Sequence, residues 1–568
     1  MRRLNLVGLL LIGLLTTLPA APAGARQAAA PAAKASAGLA GSATFGAARK
    51  DAEQITAEKM KKDLYWIADD ARAGRDTPSP GLDETARYIA ERLRSLKARP
   101  AGDDGTFFQK IVLRSSDLDL EKSAASLNGQ AYKPGLGFLA SGRVNGRAEG
   151  QVVFAGHGWI FRPKDIDPYR GLDVRDRVVV ITGDGRTPPP GLTEKEILAA
   201  PAKSWESPLS YAQKNGARAI LLVPRNFERR WRAGQATAER RTYYPVRLRE
   251  ESDAALRLPP ATLPAIIPSR EMLNDLFAGE QADGAAVLRA ATAGEPLPGF
   301  ALAPSKQLSL TLELKGNEVT TQNVVGVIEG RDRRLRKEYV ALGAHYDHVG
   351  VGRPVNGDSI YNGADDDGSG TTALLALAEA FANGKRPARS ILFVWHAGEE
   401  KGLWGSEYFA KFPTVPLDQI VVQLNIDMIG RSKQPGDTNP RNKMLTAPDE
   451  IYVIGSRMMS TQLGELSDAV NAAYLDIKFN YHYDRPNDPE RLFYRSDHYN
   501  YAKMGVPIIF YFDGVHEDYH QPSDHADKID YQKMERVVRT VFVTASELAN
   551  RPTRPVVDKQ LGADRLGR

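Results

Sequence analysis

The sequence predicts an α/β fold: a mostly parallel mixed sheet flanked by helices, with a β-rich module inserted into the chain. From Asn323 onward, apolar runs of strand length alternate with helical stretches, the pattern of parallel βα units. Between roughly Gly135 and Gly299 the texture changes to short β-rich runs broken by Gly, Pro and Arg-rich turns. At 568 residues and 42% hydrophobic content, the chain can bury more than one core.

In chain order, Arg2 and Arg3 precede an apolar stretch from Leu6 to Leu18 and small residues ending at Ala23-Gly24-Ala25, the three-part form of a signal peptide over residues 1–25. That stretch is shorter than the roughly 20 residues needed to span a bilayer. Cys is absent, so an acylated-Cys anchor, disulfides and thiolate metal sites are all excluded. Export without a stable membrane anchor is the expectation. Residues 26–46, mostly Ala, Gly, Ser and Lys, read as a flexible linker.

Residues 47–134 read as the N-terminal part of the sheet domain. Helical spacing runs from Ala57 to Lys97 through Tyr88, Ile89, Leu93 and Leu96, with a break from Pro78 to Gly81. Residues 135–300 form the insert, with β-runs at Val152–Phe154, Val178–Ile181 and Ile220–Val223. Residues 301–552 carry strands at Val324–Ile328, Tyr339–Gly343, Ile391–Trp395, Ile420–Ile426 and Pro507–Phe512. Helices are expected near Thr371–Ala382 and Leu463–Leu475, and residues 553–568 are a tail.

The 75 basic and 70 acidic residues leave a formal charge of +5, too mild to call for nucleic acid as a partner. The basic stretch at Arg225, Arg229, Arg230, Arg232, Arg240 and Arg241 reads as a solvated loop.

The nine His are unevenly spread: eight lie between His345 and His525. Polar motifs fall where apolar strands end, the edge at which open α/β sheets place ligands. Gly343-Ala-His345-Tyr-Asp347-His348 offers a ligand with a carboxylate two residues on to orient its ring. Asp365-Asp366-Asp367 in a Gly-rich turn before a helix puts three like charges together, which is costly without a cation. The helix dipole is the plainer explanation, but a cap needs only one carboxylate. Glu399-Glu400 can divide into a metal ligand and a proton-transfer group. Asp427 sits at the end of an otherwise apolar strand and needs a partner. Arg495-Ser496-Asp497-His498 and Asp518-Tyr519-His520 complete the set. With no Cys, such a set matches the nitrogen and oxygen donors of catalytic zinc. No Gly-x-Ser-x-Gly elbow is present to suggest a serine hydrolase.

Through these motifs, from about Asn323 to Ile529, the chain resembles the co-catalytic di-zinc exopeptidases that include bacterial leucyl aminopeptidases, aminopeptidase Y and glutamate carboxypeptidase II. The segment from about Gly150 to Ala290 more loosely resembles the protease-associated insert often found with them, through Val174-Arg-Asp-Arg-Val178 and Ala212-Gln-Lys-Asn-Gly-Ala217. The resemblance implies two zinc ions, one held by His345 and Asp427, the other by Glu400 and His520, with Asp366 bridging. It further implies Glu399 as general base for a water activated between the metals and Asp347 as the carboxylate behind His345. Tyr519 is the implied donor to the developing oxyanion, and the Asp366–Asp367 peptide is implied to be cis. The implied activity is aminopeptidase cleavage of peptides with a free N-terminus. The alternatives are a carboxypeptidase of the same family, an inactive binding relative on the same fold like the transferrin receptor, and a single-zinc glutaminyl cyclase.

Overall fold

A computed structural model describes residues 39 and 42–561, apart from residues 116, 142, 143, 202, 237–242, 256–262 and 560. The signal-peptide residues 1–25, Arg240 and Arg241 lie outside the described residues. So does the expected linker 26–46 up to residue 41, Leu39 aside. The linker's expected end at residue 46 is corrected: Ala43–Ala52 is helical and Phe45 is buried against the main core.

A ten-stranded sheet forms the larger unit. Its order is Tyr243–Pro245, Phe108–Ser115, Glu318–Ile328, Ser390–His396, Tyr339–His345, Ile420–Ile426, Ile508–Phe512, Glu450–Ile454 and Lys478–Asn480, with Arg99–Pro100 beside Glu318–Ile328. The four strands from Ser390–His396 to Ile508–Phe512 are mutually parallel, whereas both flanks join them antiparallel. The central strands are buried at every position because both faces are covered, and they are mostly apolar, with Gln423 and Asn425 among the buried polar exceptions. Val340, Leu342 and Ala344 face one core with the helices Ala57–Ile67, Pro80–Ser95, Gly370–Asn383 and Tyr531–Asn550. Ala341, Val325 and Val327 face the other, with Phe409 of the helix Trp404–Lys411 and Tyr501 of the helix His498–Lys503.

A nine-stranded sheet with its own core forms the second unit. Its strands come from Ala124–Leu127 through Gln307–Leu312, so it takes in chain on both sides of the 135–300 segment. One piece of that segment leaves it. Tyr243–Pro245 pairs with Leu113–Ser115 at the edge of the larger sheet, and the helix Val246–Ala255 follows it there. Glu251 meets Lys411 at 2.9 Å and the Arg247 guanidinium lies 3.6 Å from the Phe412 ring centroid. The excursion thus packs against the helix Trp404–Lys411, which begins four residues after Glu400. In the basic stretch, Arg230 pairs with Asp184 at 3.3 Å. Among the described residues, no helix is long and apolar enough to cross a membrane.

Candidate active site

Because four neighbouring strands are parallel, their C-terminal ends share one edge, and the chemistry-bearing loops leave from it. His345 ends one strand in register with His396 at the end of the next. Asp427 follows Ile420–Ile426, and the segment from Asp513 to His520 follows Ile508–Phe512.

The three consecutive aspartates serve three purposes, and Asp366, the one expected as a ligand, is the one that faces the His345 and His520 rings. Asp365 accepts the Gly430 N–H at 2.7 Å and faces His516 at 3.2 Å. Asp367 accepts the N–H groups of His345, Gly370 and Met428 at 3.1, 2.9 and 3.1 Å, tying two strand ends to the start of a helix. Asp366, joined to Asp367 by a cis peptide, points its two oxygens in different directions. Oδ1 lies 3.2 Å from His345 Nε2, and Oδ2 lies 3.1 Å from His520 Nε2.

Two groups of potential metal donors therefore meet at Asp366. His345, Asp366 and Asp427 form one, and His348, Asp366, Glu400 and His520 form the other. Within each group the donor atoms lie within 4.8 Å of one another. All five residues expected as ligands are brought together, and His348 joins them. Asp427 Oδ2 accepts the Ser496 hydroxyl at 2.5 Å, and Asn425 in turn donates to Ser496 at 2.9 Å, so the carboxylate is held from behind.

Asp347 is placed beside His345, but its main-chain oxygen is the nearer partner. His345 Nδ1 is 3.1 Å from that oxygen and 3.7 Å from the carboxylate, which instead accepts the Glu399 N–H at 3.1 Å. Asp347 thus fixes the loop carrying Glu399 as well as the His345 ring. Glu399 lines a small cleft with His345, Asp366, Asp427 and Tyr519. The Tyr519 ring stacks on His520, with centroids 4.0 Å apart.

The electrostatics follow from burying this much negative charge. Burial pushes Glu399 well above the usual carboxylate range; Glu400, Asp427 and Asp497 add to this against His345. Burial would also raise Asp366, but contacts with His345 and His520 hold it well below. Burial opposes charge on His520, yet Asp366 and Glu400 carry its pKa up to about 10. Oxygens this crowded attract a cation strongly, and only protons answer that demand when no metal is bound.

Arg75 escaped sequence reasoning, since nothing near it signals burial. It is fully enclosed and donates to the carbonyls of Tyr346, Ile67, Asn362 and Gly363 at 2.7–3.0 Å. Tyr346 belongs to the His345 loop and Asn362 and Gly363 to the Asp366 loop, while Ile67 ends the helix Ala57–Ile67, so Arg75 ties that helix to both loops. Arg75→Met should therefore lower unfolding stability by about 3 kcal/mol or more, because several carbonyls lose a charged donor together. A urea melt with an unchanged slope and an unshifted midpoint would refute this.

Residues 323–545 match the model for peptidase family M28. That segment is a peptidase family M28 domain. Every donor named above lies within the M28 segment, whereas Arg75 reaches it from outside. A protein of Arthroderma benhamiae named "Probable leucine aminopeptidase" is 26% identical over 247 residues, covering 42% of this chain and 60% of the relative. A "Probable zinc metalloprotease" of Pyricularia oryzae is 28% identical over 296 residues, covering 46% and 56%. The chain thus spans about 60% or less of the length of these two relatives. Among solved structures, the aminopeptidase from Aneurinibacillus sp. strain AM-1 overlaps 90% of this chain and 98% of its own, with a TM-score of 0.48 and 16% identity.

Proposed function

We propose that the protein is an exported zinc aminopeptidase that removes N-terminal residues from peptides. The observation that carries the reading is the pair of Asp366 oxygens, each facing its own set of donors beside Glu399. His345 and Asp427 would hold one zinc, Glu400 and His520 the other, and Asp366 both. The residues fit that role: buried atoms of Asp366, Glu400 and His520 lack hydrogen-bond partners among the described residues. Zinc bound there would supply Lewis acidity towards a water and the scissile carbonyl.

The chain's own groups do the rest. Glu399, raised by its burial, takes a proton from the attacking water and returns it to the leaving amine. Tyr519, stacked in place by His520, donates to the oxygen that gains charge. The cleft that Glu399 and Tyr519 line opens directly beside Asp366 and Asp427. Met428, Leu492, Phe510, Phe512 and Val515 give the same cleft an apolar wall for the terminal side chain. The second unit we take as a protease-associated insert whose excursion at Tyr243–Ala255 braces the helix after Glu400.

Leucyl-arylamide should be cleaved with a kcat/KM at least about tenfold above glycyl-arylamide, from apolar burial of the side chain. Acetylating the leucyl amine should abolish cleavage. Cleavage of amine-blocked peptides from the carboxyl end would favour the carboxypeptidase reading, which the exposed Arg495 in the same cleft supports.

A further inference from the structure

The two donor groups that meet at Asp366 are unequal. The His345 group offers three side chains, whereas the group on the other side offers four, because His348 stands in it with Glu400 and His520. We propose that His348 is itself a metal ligand, which makes the second position a four-donor site with two imidazoles and leaves the open coordination place on the His345 side. The proposal rests on the two-metal reading and goes beyond its five ligands.

The placement of His348 carries it. Its Nδ1 lies 2.8 Å from Glu400 Oε1 and 3.7 Å from Asp366 Oδ2, while His520 Nε2 lies 3.1 Å from Glu400 Oε2 and 3.1 Å from Asp366 Oδ2. Donors about 2.0–2.1 Å from a tetrahedral ion stand about 3.3 Å from one another, so these separations bracket the required spacing. The rings of His348 and His520 lie edge to face at 74° with centroids 5.5 Å apart.

The hydrogen-bond accounting points the same way. His348 is fully buried, and its Nδ1, Glu400 Oε1, Asp366 Oδ2 and His520 Nε2 crowd together without a well-directed hydrogen bond to any of the described residues. Several unpaired buried polar atoms converging on one point are costly unless something sits there. The ring is also held in place. Gly363 has φ +59° and a Cβ there would stand 2.4 Å from the His348 ring, while the His348 N–H donates to the Arg75 carbonyl at 3.2 Å.

An asymmetric pair has a chemical consequence. The four-donor position retains its ion and exchanges it last, while the three-donor position of His345, Asp366 and Asp427, beside Glu399, admits water and substrate. Metal should then leave the protein in two separated steps.

The test uses the full exported chain loaded with Co2+, an ion whose hyperfine field shifts the exchangeable ring N–H signals of ligating imidazoles. Metal per chain is measured alongside. The wild type should bind two ions and show three such signals, from His345, His348 and His520. His348→Ala should show two, and should lose the tighter ion at chelator concentrations at least about tenfold lower. Two ions with only two imidazole signals in the wild type would overturn the proposal and leave the two-metal reading standing. A single bound ion per chain would instead defeat the two-metal reading itself. The signal count in the wild type needs no variant, so the result stands even if His348→Ala folds poorly.

Discussion

Glu399→Gln should retain the wild-type zinc content while kcat/KM for leucyl-arylamide falls about 100- to 10,000-fold. The amide is nearly the same size as the carboxyl group, so the fit of the loop is preserved. The Glu399 backbone N–H still reaches Asp347. Neither donor group at Asp366 includes Glu399, so metal affinity has no direct reason to change. What disappears is a proton acceptor that burial keeps well above the usual carboxylate range, able to hold a proton between the water and the leaving amine. Substrate should still bind, so the loss falls mainly on kcat rather than KM. Turnover near the wild-type rate, with zinc intact, would remove Glu399 from the chemistry.

The parallel core was legible because physics writes it plainly in the sequence. Tyr339–His345 and Ile420–Ile426 are buried at every position; the first is an apolar run that ends at His345, and the second is apolar apart from Gln423 and Asn425 before it reaches Asp427. That is why His345 and Asp427 could be found without a structure. The antiparallel flank was less legible. Phe108–Ser115 alternates buried and exposed residues from Gln109 on, a weaker signal in isolation, and Tyr243–Pro245 is too short to give any periodicity. The excursion through Tyr243 joins residues far apart in the chain, which no local pattern records.

The site was legible to a similar limit. Sequence showed which residues are chemically suited to a cation, but not which atoms of Asp365, Asp366 and Asp367 are already engaged by backbone N–H groups. It placed the Asp347 carboxylate behind His345, where the main-chain oxygen proves closer. His348 was visible in the same motif as His345 and went unassigned, because its proximity to Glu400 arises only when two strand-end loops fold towards each other. Arg75 lies beyond any motif. Its role depends on a turn through Ala73 and Gly74 at positive φ that carries the guanidinium under the loops.

The neighbouring acids Asp366 and Asp367 should separate cleanly under the same conservative change. Asp366→Asn replaces one of the two outward-facing oxygens with an NH2 group, whose hydrogens repel a cation on that side. A carboxylate can serve both donor groups, and an amide can serve only one. On the proposed two-metal reading, zinc content should therefore fall from two per chain to one or none, with loss of activity by about 1,000-fold or more, since the site could no longer act as a two-metal clamp. The apparent melting temperature, which zinc should raise in the wild type, should respond less to added zinc. Asp367→Asn acts differently. Its carboxylate accepts three backbone N–H groups and faces neither donor set, so the change should cost stability by a few kcal/mol. Once folded, that variant should still bind zinc. Equal zinc loss in the two variants would mean that Asp366 holds the loop rather than the metals, and the bridge on which the aminopeptidase reading depends would be gone.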